Sequence, residues 1–257
     1  VNLETIDDVI DQSGVKICVY GFSGVGKTML SGTTGGPTII LSAEAGLRSL
    51  KQYPPEIKNN MRVHQVTTID GIKQAYAWFQ SGQMCEWIVI DSLSEVAEVC
   101  LSHTKEGKKD PRAAYGDMAD EMMKLIRLIR DLPNYNVMMI AKQTRITDEL
   151  SGITSYVPLL PGKILTNQLP YMFDEVFCLR VEPHPSKPGK FLRVIQTGRD
   201  ATHDCKDRSG TLDMFEPADF TEFGYFPIIG NIAAKISGNA TVTNMETNTD
   251  GATTAGV

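Results

Sequence analysis

Residues 15–28 read V-K-I-C-V-Y-G-F-S-G-V-G-K-T, an apolar run that ends in glycine and passes without a spacer into a loop with two more. Residues 17–20 have the character of a buried strand. Gly21 to Thr28 then fits the phosphate-binding pattern, two glycines with four residues between them followed by Lys and Ser/Thr. The glycines let the backbone take strained dihedrals and bring successive N–H groups close to phosphate oxygens. A helix expected to start near Lys27 adds the positive end of its dipole. Lys27 offers a mobile cation for the β- and γ-phosphates, and the Thr28 hydroxyl is a hard oxygen ligand for Mg2+. The candidate nucleotide-binding set is therefore Gly21, Phe22, Ser23, Gly24, Val25, Gly26, Lys27, Thr28 and Met29. The pattern is complete and follows a strand, which separates it from a glycine-rich turn that merely joins a strand to a helix.

A chain of 257 residues suffices for one sizeable α/β domain. Hydrophobic residues make up 42% and charged residues 22%, the balance of a soluble globular protein. No apolar run approaches the ~20 residues of a membrane span, and no basic segment followed by an apolar one opens the chain, so a cytoplasmic protein with no membrane partner is expected. Five scattered cysteines read as reduced thiols, mostly buried. A net charge of −6 argues against coating nucleic acid by bulk charge, so any such contact has to come from local loops. The expected division is an N-terminal extension over residues 1–14, a core over 15–236, and a disordered tail over 237–257 that carries no aromatic residue.

Within the extension, Leu3, Ile6, Val9 and Ile10 lie among acids and pack either on the parent core, the default, or on a neighbouring subunit. The helix after the phosphate loop is short, stopped by Gly32 and the Gly35-Gly36-Pro37 cluster. Residues 38–41 form a β-branched strand, expected beside the phosphate-loop strand, and just beyond it Glu44 is a candidate general base. A solvated acid heading the helix near Leu47 is the alternative. After a weak strand at 63–66 and a helix at 69–79, residues 87–90 form a doubly covered strand. It ends in Asp91, the candidate holder of Mg2+. Ser92 and Glu95 make a capping box and are assigned to starting a helix rather than to chemistry.

Residues 103–112 read as a polar loop with Lys105, Lys108, Lys109 and Arg112, either solvated or touching a phosphate backbone. From Tyr115, Met118, Met122, Leu125, Ile129 and Leu132 repeat at helical spacing, a core face. Residues 137–140 are a strand followed by Gln143, whose amide could sense a γ-phosphate. Residues 146–162 are predicted to be a long polar loop. Strand patterns at 172–181 and 191–197 predict a β-hairpin, and the polar loop 198–208 follows it. His203 and Cys205 lack a second pair at metal-ligand spacing.

Phosphate loop, strand to Glu44, strand to Asp91, strand to Gln143, hairpin, then Lys206-Asp207-Arg208: over about residues 15–226 this order resembles the RecA-like core ATPases. The likeness is greatest to small phage-encoded members that act in recombination or single-strand annealing. The resemblance implies an α/β fold, a RecA-like P-loop NTPase core with a mostly parallel twisted sheet flanked by helices and a C-terminal β-hairpin. It implies ATP and Mg2+ as cofactors and slow, DNA-stimulated hydrolysis in the cytoplasm of a host cell. Glu44 would activate water, Gln143 would sense the γ-phosphate, and Lys206 with Arg208 would complete the active site of the adjacent subunit in a homo-oligomeric ring or filament. Two loops would face single-stranded DNA, mapping to residues 103–112 and 146–162, with Lys105, Lys108, Lys109, Arg112, Arg145 and Lys163 as contacts. A single-strand DNA-binding protein is a further implied partner. Two rival readings stay open: a nucleotide switch that recruits a protein partner without DNA, and a small-molecule kinase.

Overall fold

The computed structural model describes residues 3–6, 9–10, 13–44, 46–82, 85–106, 110–149, 151–219 and 227–239. Among the described residues ten strands form one sheet: β1 (Lys16–Gly21), β2 (Thr38–Ser42), β3 (Met61–Gln65), β4 (Trp87–Asp91), β5 (Asn136–Thr147), β6 (Thr154–Leu159), β7 (Glu175–Pro183), β8 (Phe191–Gln196), β9 (Lys206–Asp207) and β10 (Phe215–Pro217). The lateral order is β10-β8-β7-β1-β5-β4-β2-β3, with β6 on β5 and β9 on β7. From β7 through β3 the neighbours are parallel. The additions at β6, β8, β9 and β10 are antiparallel. The helices are α1 (Pro55–Asn59), α2 (Ile69–Gln80), α3 (Leu93–Lys105), α4 (Pro111–Arg130), α5 (Lys163–Gln168) and α6 (Ile228–Ile236).

The continuous apolar runs follow from burial on both faces. Cys18 and Tyr20 of β1, Ile88 and Ile90 of β4, and Val137 and Met139 of β5 enter one core layer, with residues of α2, α3 and α4 packed over it. Their alternates Ile17, Val19, Val89, Met138 and Ile140 enter the opposite layer, which α6 covers with Ile228, Ile229 and Ile232. In α4 the periodic residues Met118, Met122, Leu125 and Ile129 are all buried, so that stripe is core. The helix starts are locally fixed: Thr68 Oγ1 accepts from Gly71 N, Ser92 Oγ from Glu95 N, and Asp110 Oδ1 from Arg112 N. All five cysteines are free thiols. Among the described residues no helix is long and apolar enough to cross a membrane.

Several expectations are corrected. β2 does not lie beside β1; it pairs with β4, and β4 and β5 separate it from the phosphate-loop strand. The stretch 146–162 is not a loop, because β5 continues to Thr147 and β6 returns antiparallel along it, pairing Arg145 with Tyr156. The polar stretch 103–112 is shorter than expected, since α3 runs through Lys105 and α4 starts at Pro111; Lys108 and Lys109 lie outside the described residues. After the phosphate loop comes a five-residue 3-10 turn, Thr28–Gly32, in place of an α-helix. The apolar side chains Leu3, Ile6, Val9 and Ile10 are exposed rather than packed on the parent core.

Candidate nucleotide site

The phosphate loop leaves β1 at Gly21, where β7 comes so close that a β-carbon on Gly21 would lie 2.6 Å from the Leu179 carbonyl oxygen. Within the loop Gly24 has φ +80° and Gly26 φ +103°, a backbone that side-chain-bearing residues rarely adopt. The Lys27 ammonium closes the loop by donating to the carbonyl oxygens of Gly21 and Phe22, each at 2.8 Å. Burial lowers its pKa, and the nearby Asp91 and Glu44 carboxylates oppose that shift.

Thr28 and Asp91, far apart in sequence, are hydrogen-bonded through their side chains. Asp91 is 5% exposed at the end of β4. Burial pushes its carboxyl up to about 6, with Glu44 adding to the rise and the Thr28 bond and Lys27 working against it. A hydroxyl and a carboxyl brought together, the latter short of positive charge, are a donor set suited to a hard divalent cation.

Glu44 reaches this cluster because β2 and β4 are neighbours. Ser42 of β2 pairs with Asp91, and Ala43 N donates to the Asp91 carbonyl at 2.8 Å. Ser92 Oγ then donates to Glu44 Oε1 at 2.6 Å. Ser92 therefore does more than start α3: it orients the candidate base, a role that its capping pattern hides. On β5, Lys142 pairs with Gly21 of β1 and its ammonium forms an ion pair with Glu95. The next residue, Gln143, accepts from Cys178 Sγ at 3.5 Å through Oε1, while its Nε2 is buried without a partner. Cys178 also lies within charge range of Lys27. A buried amide donor left open at this end of the sheet suits an oxygen-rich ligand.

One contact to the loop has no local sequence signature. Arg193 of β8 donates from Nε to the Val25 carbonyl at 2.8 Å. Phe22, 57% exposed on the loop, sets its ring edge-on to Tyr156 of β6, centroids 5.8 Å apart.

Lys206 and Arg208 lie away from this chain's own phosphate loop. Lys206 pairs with Val176 on β7, near the end of the sheet opposite Gly21, and its ammonium donates to the carbonyls of Pro170 and Phe173. Arg208 is ion-paired to Asp174 at 2.6 Å. Both sets of contacts lie on the turn before β7.

The basic candidates for nucleic-acid contact divide. Lys105 sets its ammonium 5.2 Å over the centre of the Tyr115 ring. Gly162 abuts the same ring, a β-carbon there falling 3.4 Å from it, so exposed Lys163 is close by. Arg112 lies in the first turn of α4 and Tyr115 is 40% exposed. Arg145 stands apart on the stem formed by β5 and β6.

No curated protein matches the chain. A family model described as an AAA domain matches residues 13–209, a span that runs from before β1 through β9 and takes in the phosphate loop, Glu44, Asp91 and Gln143. With a large central sheet, flanking helices and a glycine-rich loop closed by its own lysine, this chain belongs to the AAA-domain family of P-loop ATPases.

Proposed function

We propose that the protein binds ATP with Mg2+ at the Gly21–Met29 loop, hydrolyses it slowly, and does so as a homo-oligomer on single-stranded DNA, in strand annealing or recombination. The observation that carries the nucleotide part is the convergence of Lys27, the Thr28–Asp91 pair, Glu44 and the unpartnered Gln143 amide at one end of the sheet. Thr28 and Asp91 would hold the metal, whose chemistry there is to neutralise charge on the phosphates. Lys27 contributes a cation that burial keeps weakly solvated. Glu44, held at one oxygen by Ser92, keeps the other for taking a proton from water. Gln143 supplies a neutral donor, which can bond a phosphate oxygen without adding charge.

The DNA part is supported by the Lys105 ammonium over the half-exposed Tyr115 ring, with exposed Lys163 next in the chain to Gly162, which abuts that ring. Rings of this kind stack bases, and lysines beside them follow the backbone. In a chain of net charge −6 such a patch is the local attraction that single-strand binding needs. Phosphate release is the decisive assay, run with and without a single-stranded oligonucleotide on the parent and on Glu44→Gln. Stimulation by DNA in the parent is expected. Glu44→Gln should lose ~10²–10⁴-fold in rate while its ATP affinity holds. Parental turnover in Glu44→Gln returns Glu44 to a solvated acid. ATP turnover with no oligonucleotide binding at low salt favours the nucleotide-switch reading.

A further inference from the structure

Arg193 enters the site from the antiparallel flank of the sheet. It pairs with Val181 of β7, two strands away from β1. Its backbone is fixed on both sides: the N–H donates to Oδ2 of Asp219 at 3.1 Å, and the carbonyl accepts from Ala218 N at 3.1 Å. Asp219 is itself buried. Two residues along β8, Ile195 packs in the core layer against which Val25 lies, and alternation puts Arg193 on that same face. From there the Nε–H reaches the Val25 carbonyl at 2.8 Å.

The peptide between Val25 and Gly26 is trans, so its carbonyl and its N–H point in opposite directions. A carbonyl pinned toward β8 turns the Gly26 N–H away from β8. Neighbouring peptides are held from within: Lys27 bonds the carbonyls of Gly21 and Phe22, and Met29 N donates to the Gly26 carbonyl at 3.0 Å. The Val25–Gly26 peptide, between two glycines with positive φ, is held by a side chain from outside the loop.

We propose that Arg193 is a positioning residue of the nucleotide site, which by binding the Val25 carbonyl aims the Gly26 N–H at a phosphate oxygen. This rests on reading the loop as a nucleotide site. The mechanism is orientational: the guanidinium need touch no phosphate, and its loss frees one peptide plane to rotate.

The test compares the parent with Arg193→Met, which keeps the apolar stem, and Arg193→Lys, which restores a donor. ADP affinity is measured by calorimetry, and melting temperature and amide resonances are measured without nucleotide. Arg193→Met should bind ADP about tenfold more weakly, the scale of one charge-assisted hydrogen bond. Its Gly26 resonance should move while those of Leu179 and Ile195 hold, and Arg193→Lys should recover most of the affinity. ADP binding by Arg193→Met within twofold of the parent, with Gly26 unmoved, overturns the assignment. So does equal weakening in Met and Lys variants that leave Gly26 in place, because that is a packing effect. If Arg193→Met does not fold, exchange of the Arg193 Nε–H in the parent decides: protection supports the bond to Val25, and exchange at the solvent rate refutes it. A parent that fails to bind ADP sinks the nucleotide reading, and the Gly26 resonance still tests the bond by itself.

Discussion

Glu175→Gln should stabilise the protein at alkaline pH and leave it unchanged near pH 4.5. Glu175 opens β7, is 1% exposed, and pairs with Ile17 of β1 on one side and Asp207 of β9 on the other. Burial first, then the Asp207 carboxylate, push its pKa up from 4.5 to about 7. Asp207 goes the other way: burial alone would raise it, but the Ser209 hydroxyl and the N–H groups of Leu212 and Gly210 hold it below its ordinary value. Of the two carboxyls, then, Glu175 keeps the proton. An acid whose pKa is raised by folding lends its stability below the unfolded value and loses it as pH climbs to the folded one. The loss therefore accrues between 4.5 and about 7 and is flat above. At 1.36 kcal/mol per unit, the cost at pH 8 comes to about 3 kcal/mol, and at pH 4.5 it is under about 0.5 kcal/mol. A glutamine keeps the acceptor that Ser209 N uses at 3.3 Å and never ionises. Thermal unfolding of parent and variant, without nucleotide, should separate the melting temperatures by roughly 6–12 °C at pH 8 and bring them together at pH 4.5. A gap of equal size at both pH values, or a variant less stable at pH 8, would refute the shared-proton account.

Lys27→Ala should abolish nucleotide turnover while the fold persists, because among the described residues the ammonium bonds two carbonyls of its own loop; phosphate release within twofold of the parent, in a variant of parental melting temperature, removes the loop assignment. Replacing Lys105 and Lys163 by glutamate should weaken single-strand binding and flatten its salt dependence, each lost phosphate contact lowering the slope by about 0.7. Tyr115→Ala should cost affinity, roughly 1–3 kcal/mol for one stacked base, without changing that slope. Filter-binding or anisotropy titrations across a salt series read both, and unchanged slopes would move the DNA contact to Arg145 and the β5–β6 stem.

What could be read from the sequence was whatever is local or periodic. The core alternation of β1, β4 and β5 shows as unbroken apolar runs, and the α4 stripe shows as a repeat of three and four. The stem of β5 and β6 was illegible for a physical reason. Residues 144–147 of β5 and 154–156 of β6 are half-buried or exposed, so no hydrophobic period marks them, and the pairing of Ile146 with Ser155 and Thr147 with Thr154 is carried by backbone bonds and one bond between threonine hydroxyls, which composition does not record. The contacts of Lys206 within the chain could not be read either, because its partners, the Pro170 and Phe173 carbonyls, are backbone atoms more than thirty residues away. Ser92 and Arg193 give no motif for the site: the one is absorbed by its helix-cap pattern, and the other is a single arginine on a strand.

Sheet order explains how the site closes. In the chain β1 is followed by β2, but in space β5 and β4 stand between them. Strands lie about 4.8 Å apart, so Asp91 on β4 is roughly 10 Å across the sheet from Gly21 on β1. The eight residues from Gly21 to Thr28 span that gap easily, and the Thr28–Asp91 contact holds the far end of the loop on β4. The near end stays covalently on β1, and Arg193 secures the tip from β8. A loop laid across β5 leaves that strand's exit between its two anchors, at the positions held by Lys142 and Gln143. Lys142 is committed to Glu95. Of that pair, Gln143 is the one left with an unused donor: its Nε2 is buried without a partner while its Oε1 accepts from Cys178 Sγ of β7. Gln143→Leu, which keeps the volume and removes the donor, should therefore hold or raise melting temperature without nucleotide and lower turnover with it. A variant that loses stability and keeps turnover would show that the amide serves the fold instead.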